Sequence, residues 1–339
     1  METMQCLYKP KEYASDQEIK WCPGCGDYAV IAAAQKAFSD LSLRKEELVI
    51  VSGIGCSSRF PYYMDTYGFH TIHGRPAAIA TGIKLANPTL SVWIVSGDGD
   101  SLAIGGNHFI HLIRRNLNLN LLLFNNEVYG LTKGQHSPST KRGVVTKSAP
   151  FGTIENPFNI GQLVLGARGQ FFARVPDTDV KLMTQVMVEA EKHKGTSIME
   201  ILQNCVIFND DAHIEITSKE TRRNNQIILE HGKPMLFGEN NSKGLRLKGL
   251  DLEVVMIGES GVTQEDILVH DANCQSSTLH HMLVQMNLPD FPVAMGIIRN
   301  VKDAVFDEDF HLQISEVSGK SQFTSVDQLF HSGNTFNVF

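Results

Sequence analysis

The chain has 339 residues, 42% hydrophobic and 20% charged, so it can bury a substantial core without disulfide or metal staples. Its formal charge of −7 argues against a dedicated nucleic-acid binder, since such proteins carry a basic footprint. No apolar run approaches the roughly 18 residues that a membrane helix requires, and the N-terminus lacks the apolar core of a signal peptide. We therefore expect a cytoplasmic protein of about two domains that binds neither nucleic acid nor membranes.

Short β-rich runs alternate with helical patterns through the first two thirds of the chain. Strands that alternate with helices indicate parallel βαβ units, so the predicted fold class is α/β, with a parallel sheet flanked by helices. Helices are predicted over 27–38, 77–85 and 180–190, and strands over 48–52, 91–96, 119–124 and 198–202.

Residues from 206 onward differ in composition. They are more charged and are interrupted by Gly and Asn, and one helical stretch is predicted over 267–286. We interpret residues 1–210 as the domain that carries the chemistry. Residues 211–339 are interpreted as a C-terminal extension that wraps the core or contacts a partner subunit.

The loops after the strands are where a parallel sheet binds its ligands. The run 97–101 (GDGDS) follows one predicted strand, and the next strand ends in the asparagine pair 125–126. The glycines let a ligand approach the backbone, and the start of a helix suits a phosphate. A carboxylate would repel a diphosphate, but Mg²⁺ between them reverses the sign of the interaction. Asp98, the side-chain oxygen of Asn126 and the backbone carbonyl of Val128 can supply three of its ligands.

The run GDGDS has two other interpretations. A nicotinamide-binding fingerprint is one, but the glycine pairs at 97–99 and 53–55 both lack the third glycine of that motif. An ordinary turn is the other, since Asp-Gly pairs are common in turns. The asparagine pair favours the diphosphate site, and GDG followed by NN is similar to the diphosphate- and Mg²⁺-binding motif of thiamine diphosphate enzymes. That resemblance implies that Asp98, Asn126 and Val128 hold the metal.

Four cysteines occur in contexts that suit a metal or a cluster. Cys22 and Cys25 form a C-x₂-C pair around a Pro-Gly turn, whereas Cys56 and Cys205 each follow a predicted strand. In a reducing compartment such cysteines are ligands or free thiols rather than disulfides. Spacing alone leaves zinc, an iron–sulfur cluster and a redox-active dithiol open.

The diphosphate motif and the cysteines together resemble the β subunits of 2-oxoacid:ferredoxin oxidoreductases. The resemblance covers WCPGCGDY, GIGCSSRFPYY, FHTIHGRPAAIATGIKLANP, GDGDSLAIGGNHFIHLIRRN and FNNEVYGLTKGQHSPST, in that order. It implies a thiamine diphosphate-binding fold with Mg²⁺ and a [4Fe–4S] cluster on Cys22, Cys25, Cys56 and Cys205. The residues expected to bind the cofactors are Gly97, Asp98, Gly99, Asp100, Asn126, Val128, Gly130, Leu131, Cys56 and His73.

The family resemblance also implies an activity. The segments 70–75 (HTIHGR) and 130–135 (GLTKGQ) are similar to the branch that acts on 2-oxoglutarate or on several oxoacids. The implied reaction is the reversible oxidative decarboxylation of 2-oxoglutarate with coenzyme A to succinyl-CoA and CO₂, with electrons passed through the cluster to ferredoxin. The alternatives are a pyruvate-specific or broad-specificity enzyme and, in a different class, a zinc-stabilised scaffold subunit without catalysis.

The second carboxylate of 2-oxoglutarate requires a cation in the pocket. Lys133 is the first candidate and Arg59 the second, although either can equally be a solvated surface residue. His70 and His73 can contact the diphosphate or the substrate carboxylate, or be structural. No glutamate has a context that suits the cofactor's aminopyrimidine ring. The resemblance implies that an α subunit supplies it, together with much of the substrate and coenzyme A binding, so the chain should be inactive alone.

Overall fold

The computed structural model describes residues 7–336 and 338. Its strands are β1 (Leu48–Ser52), β2 (Tyr67–His70), β3 (Ser91–Gly97), β4 (Leu119–Asn125), β5 (Phe171–Pro176), β6 (Thr196–Leu202), β7 (Gln226–Leu229), β8 (Leu236–Phe237), β9 (Lys243–Lys248), β10 (Asp251–Met256) and β11 (Val293–Asn300). Its α-helices are α1 (Asp27–Asp40), α2 (Pro76–Ala86), α3 (Asp98–Leu102), α4 (Gly106–Arg115), α5 (Ile160–Gly166), α6 (Val180–Lys192), α7 (Ile214–Thr217), α8 (Arg222–Asn225), α9 (Thr278–Gln285), α10 (Phe306–Lys320) and α11 (Val326–Phe330). Short 3₁₀ helices span Pro10–Tyr13, Lys45–Glu47, Ser57–Tyr63, Glu239–Asn241 and Gln264–Asp266.

An eight-stranded sheet in the order β2-β1-β3-β4-β6-β5-β11-β7 organises the molecule. Every pair in it is parallel except β11 with β5. A small antiparallel sheet, β10-β9-β8, is formed by the C-terminal third of the chain. The predicted α/β class with a sheet flanked by helices is therefore confirmed.

Successive side chains of the central strands enter two separate cores, because a strand alternates its faces. In β3, Val92 and Ile94 pack into a core that includes α2, α4, α5 and α9. Trp93 and Val95 point the other way, into a core with α1 and α6. Burial on both faces explains the nearly continuous apolar sequences of these strands, which is typical of parallel sheets.

The predicted elements of the first two thirds of the chain are confirmed with small shifts of their ends. The four predicted strands are β1, β3, β4 and β6, and the three predicted helices are α1, α2 and α6. The structure adds β5, a fully buried run between α5 and α6, and β2 at the edge of the sheet.

The helix predicted over 267–286 is wrong for most of its length. Only α9 is helical there, and Ser277 is its N-cap residue. The preceding residues 271–277 (DANCQSS) are rich in side chains that hydrogen-bond nearby backbone and so favour turns and caps over helix interiors. His270 and Arg299 fix this stretch instead: His270 bonds the carbonyl of Ile297, and the Arg299 guanidinium donates to the carbonyl of Cys274.

Residues beyond 210 share the main sheet with the first part of the chain. β11 pairs with β5 on one side and with β7 on the other, so two strands from this region extend the sheet. The contact of this region with another subunit stays a prediction. None of the helices in the described part of the chain has the length and apolar character that crossing a bilayer requires.

Candidate active site

The carboxyl ends of β1, β3 and β4 open into a cavity of about 630 Å³. This is the edge of the sheet where ligands of parallel α/β folds bind. The structure brings together on its wall every residue expected to bind the cofactors: Gly97, Asp98, Gly99, Asp100, Asn126, Val128, Gly130, Leu131, Cys56 and His73.

Asp98 is the buried carboxylate of this wall, with a relative exposure of 2%. It begins α3 directly after β3, so the strand fixes its position. The hydroxyl of Ser137 donates to its Oδ2 at 2.6 Å, and the hydroxyl of Ser139 donates to the same oxygen. Burial raises the pKa of Asp98 above its ordinary value, and the two serine hydroxyls oppose that shift. Two donors on one oxygen hold the carboxylate in a single orientation.

The turn after β4 carries the other candidate oxygen ligands. The Oδ1 of Asn126 accepts a hydrogen bond from the backbone N–H of Val128 at 3.2 Å. Glu127, between them, adopts a left-handed conformation with φ of 57°. The hydroxyl of Thr140 donates to the Glu127 carbonyl at 2.6 Å and accepts from the N–H of Ser137 at 2.7 Å. The segment 137–140 therefore holds both the Asp98 carboxylate and the 126–128 turn.

Asp100 lines the cavity, but its carboxylate is engaged by donors from this chain. Oδ1 accepts the backbone N–H groups of Ile54 at 3.1 Å and Gly74 at 2.7 Å, and it lies 2.6 Å from Nδ1 of His73. Oδ2 accepts the hydroxyl of Ser96 at 2.7 Å. Asp100 thus ties together the loops after β1, β2 and β3 and fixes the imidazole of His73.

Gly99 is required by a close approach of the next loop. A Cβ at this position would lie 2.1 Å from the Cε1 atom of the Tyr129 ring. The Tyr129 hydroxyl also donates to the Gly99 carbonyl at 3.0 Å. The GDG motif is therefore fixed by packing against Tyr129 as well as by any ligand.

The oxygen donors fit a magnesium ion. Mg²⁺ prefers hard oxygen ligands and binds proteins through one or two carboxylates. Asp98, Asn126 and the Val128 carbonyl offer one carboxylate, one amide oxygen and one peptide oxygen on the same cavity wall. Within residues 7–336 and 338, no group of three or more His, Cys, Asp or Glu side chains is arranged to hold a metal ion. This donor set needs no such group, because only one of its members is a carboxylate.

The four candidate cysteines form one electrostatically coupled group. Negative charge on Cys205 or Cys56 raises the pKa of the Cys25 thiol. Negative charge on Cys205 or Cys22 raises the pKa of the Cys56 thiol in the same way. A Cβ at Gly130 would lie 3.4 Å from Sγ of Cys205 and 3.7 Å from Sγ of Cys56, so both sulfur atoms flank the loop after β4. The structure thus places Cys56 and Cys205 beside the cavity, and Cys22 and Cys25 lie close enough to interact electrostatically with Cys56.

Burial dominates the titration of these thiols. It raises the pKa of Cys56 to about 12 and, together with the nearby Asp27 carboxylate, raises the pKa of Cys25 further above its ordinary range. Thiolates in such surroundings need a positive partner, and a bound metal deprotonates a coordinating thiol. The donor chemistry therefore fits a metal cluster.

The loop after β1 is braced by backbone hydrogen bonds at Cys56. Its carbonyl accepts the indole N–H of Trp21 at 2.7 Å and the backbone N–H of Arg59 at 3.2 Å. Cys56 also caps the 3₁₀ helix Ser57–Tyr63, which carries Arg59. Arg59 and the cysteine are thus fixed on one short turn.

The two cations predicted to bind the substrate, Arg59 and Lys133, differ in their position relative to the cavities. Arg59 and His70 line a second cavity of about 590 Å³, which shares Ile54, Gly55 and Leu131 with the first. Nδ1 of His70 lies 2.9 Å from the Ser58 carbonyl. Lys133 is exposed on a turn with φ of 76° and lines neither cavity. The structure brings Arg59, but not Lys133, to the cavity pair.

Several residues of the site were not predicted from the sequence. The segment 135–140 (QHSPST) contributes Ser137, Ser139 and Thr140. The groups that these side chains bond, the Asp98 carboxylate and the Glu127 carbonyl, are distant from them in the sequence. Other unpredicted residues are Tyr129, packed on Gly99, and the buried residues Asp27 and Gln203 beside Cys25. Only the three-dimensional contacts identify these residues.

Comparison with known proteins places the chain in a family. The model of the thiamine pyrophosphate enzyme C-terminal TPP binding domain matches residues 53–201. The 2-oxoglutarate oxidoreductase subunit KorB of Mycobacterium tuberculosis is 43% identical over 97% of this chain and 88% of its own length. The 2-oxoglutarate synthase subunit KorB of Methanocaldococcus jannaschii is 37% identical over 69% of this chain and 87% of its own length.

A solved structure matches nearly the whole chain. It is the 2-oxoglutarate:ferredoxin oxidoreductase from Magnetococcus marinus with 2-oxoglutarate, coenzyme A and succinyl-CoA bound. Its TM-score is 0.77 at 27% identity, covering 96% of this chain and 97% of that chain. With a cavity built from the strand ends, a thiamine pyrophosphate domain and relatives of this similarity, the chain belongs to the family of KorB subunits, the β subunits of 2-oxoacid:ferredoxin oxidoreductases.

Proposed function

We propose that this chain is the β subunit of a 2-oxoglutarate:ferredoxin oxidoreductase. It takes part in the conversion of 2-oxoglutarate and coenzyme A to succinyl-CoA and CO₂, and it passes the electrons through a [4Fe–4S] cluster to ferredoxin. One observation carries the proposal: oxygen donors suited to Mg²⁺ and a cysteine of the four-thiol group line the same cavity. The relatives and the Magnetococcus marinus structure support 2-oxoglutarate as the substrate.

Asp98, Asn126 and the Val128 carbonyl would hold Mg²⁺ and, through it, the diphosphate of thiamine diphosphate. When bound, this cofactor supplies the carbanion chemistry by which a 2-oxoacid loses CO₂. The protein contributes rigid positions for the diphosphate end. Ser137 and Ser139 orient the Asp98 carboxylate, and Asp100 holds the imidazole of His73 at the cavity wall.

The cysteines Cys22, Cys25, Cys56 and Cys205 would bind the cluster. Four thiolates can also bind a single tetrahedral zinc ion, so the metal content of the complex separates the cluster from the zinc-stabilised scaffold. Cys56 lines the cavity itself, so the proposed electron acceptor adjoins the site of decarboxylation.

A partner subunit is part of the proposal. The segment 143–158 next to the cavity exposes Val145, Ile154 and Phe151, the last of which is 100% exposed. Contiguous exposed apolar surface marks interaction sites. An α subunit that covers this segment would close the cavity and supply the carboxylate for the aminopyrimidine ring. The exposed apolar side chains of α10 and α11 support a further subunit contact through the C-terminal extension.

The complex of both subunits, purified without oxygen, tests the proposal. It should be brown, contain about four irons per β chain, bleach with dithionite and reduce ferredoxin with 2-oxoglutarate and coenzyme A. A colourless protein with zinc in place of iron would support the scaffold alternative. A higher kcat/KM for pyruvate than for 2-oxoglutarate would overturn the substrate assignment.

Replacing Ser139 by alanine should weaken Mg²⁺ binding without removing it. The change deletes one of two hydroxyl donors to Oδ2 of Asp98, and such supporting partners of a metal ligand typically contribute about 10- to 100-fold in affinity. The measurement is a Mg²⁺ titration of the metal-free complex at saturating thiamine diphosphate. Ser148→Ala is the control, because Ser148 lines the cavity but bonds His136 rather than a proposed ligand. Equal Mg²⁺ affinities of the Ser139→Ala variant and the wild type would contradict the role of the 137–140 segment.

Arg59 is the cation that we expect to recognise the distal carboxylate of 2-oxoglutarate. Arg59→Met should lower kcat/KM for 2-oxoglutarate by about 10- to 100-fold, since a hydrogen bond to a charged group contributes about 1.5–3 kcal/mol. Pyruvate, which lacks that carboxylate, should be affected less. Lys133→Met is the matched control, since Lys133 is outside both cavities. The assignment moves to Lys133 if the two variants show the reverse pattern.

A further inference from the structure

Gln203 is a buried amide next to the proposed cluster. It follows β6 directly, its relative exposure is 1%, and its backbone N–H donates to the carbonyl of Asn125 at 3.0 Å. Its side-chain Nε2 lies 3.2 Å from Sγ of Cys25. A sheet strand therefore holds this amide against a cysteine sulfur.

The surroundings fix which way the amide points. Nε2 donates to the backbone carbonyl of Asn204 at 2.7 Å, and the sulfur of Cys25 lies on the same side. Both neighbours are acceptors, so the NH₂ end must face them. The Oε1 atom is buried and has no hydrogen-bond partner among the described residues. The Asn204 carbonyl therefore fixes the amide with its NH₂ group toward the sulfur of Cys25.

A hydrogen bond to a cluster sulfur favours the more negatively charged state of the cluster. Hydrogen bonds to the sulfurs, burial and net charge are the levers by which a protein sets an iron–sulfur potential. Gln203 brings such a donor to the sulfur of Cys25.

We infer that Gln203 sets the reduction potential of the cluster by donating a hydrogen bond to Cys25. The inference rests on the proposed function, because it requires the cluster. The cluster would accept one electron at a time from the substrate that is being oxidised and pass it on to ferredoxin. The donor from Gln203 stabilises the reduced cluster and so makes the first of these transfers more favourable.

The test is an EPR-monitored redox titration of the complex of both subunits, purified without oxygen. Gln203→Met keeps the length of the side chain and removes the N–H donor. We expect the equilibrium between oxidised and reduced cluster to shift about tenfold toward the oxidised form, which is about 59 mV for a one-electron couple. Gln203→Leu, a second variant without a donor, should shift in the same direction. Asn204→Leu is the control, because that amide bonds Asp210 rather than a cysteine sulfur.

The outcomes separate the two levels of inference. A wild-type complex without iron would contradict the proposal that the chain binds a cluster. If the Gln203 variants keep their iron and their equilibrium between oxidised and reduced cluster stays within twofold of that of the wild type, the role of Gln203 is overturned but the cluster is not. Loss of iron from both variants would also overturn it, since a residue that only adjusts the potential is not needed to retain a cluster bound by four cysteines.

Discussion

An Asp98→Ala complex is expected to lose Mg²⁺-dependent thiamine diphosphate binding by more than about 100-fold while keeping its iron. Asp98 is the single carboxylate among the proposed oxygen ligands, and it is buried. Removing one partner of a buried charge pair costs about 3–5 kcal/mol, which corresponds to a loss of at least this size. Calorimetric titration of the cofactor-free complex with thiamine diphosphate, at fixed Mg²⁺, measures the change directly.

Asp100→Asn is the matched control for this prediction. Asp100 lies two residues away on the same wall, but its carboxylate is engaged by Ile54, Gly74, His73 and Ser96. We expect its replacement to lower thermal stability while changing Mg²⁺ affinity far less than Asp98→Ala does. Near-normal cofactor affinity in the Asp98 variant would contradict the metal assignment, and a loss of iron there would point to general misfolding.

Cys205→Ala should have the opposite pattern. One of four ligands is removed, so the cluster should be lost or degraded, whereas thiamine diphosphate affinity should stay within a few-fold of the wild type. Electron transfer to ferredoxin should fall below detection. Iron analysis, the EPR spectrum of the reduced protein and cofactor calorimetry on the same sample give the three readouts.

Cys274→Ala is the control for the cluster prediction. Cys274 is an exposed free thiol in the C-terminal region. Its removal should leave both iron content and turnover unchanged. Full iron occupancy in the Cys205 variant, or an equal loss of iron in both variants, would contradict the ligand set.

The sequence was sufficient to predict the position of the cavity, because the apolar runs of the strands and the parallel topology of the sheet point to the same edge. β1, β3 and β4 are largely apolar runs, and their ends could be located because a glycine follows β1, β3 ends at Gly97 and β4 ends at Asn125. Parallel topology then placed Asp98 and Asn126 at one edge of the sheet. The position of the cavity follows from these two facts. It therefore contains every residue that was expected to bind the cofactors, although not every expected cluster or substrate ligand.

Residue roles that depend on the direction in which a side chain points could not be predicted from the sequence. Lys133 follows the cofactor motif more closely than Arg59, yet a left-handed turn leaves it on the surface, whereas the 3₁₀ helix after Cys56 carries Arg59 to a cavity. The hydrogen bonds of the Asp100 carboxylate could not be predicted either, because they depend on which loops come together in the fold. β11 escaped detection because its partner β5 is far away in the sequence, and β7 because it pairs with β11.

The short turn that begins at Cys56 and carries Arg59 has a practical consequence for enzyme engineering. The Arg59 N–H that bonds the Cys56 carbonyl is a backbone group, so every exchange at position 59 except proline keeps this hydrogen bond. Libraries that leave out proline should therefore change the side chain in the second cavity without releasing the backbone beside the proposed cluster. Retained ferredoxin reduction across such a library, with altered acid preference, is the expected outcome.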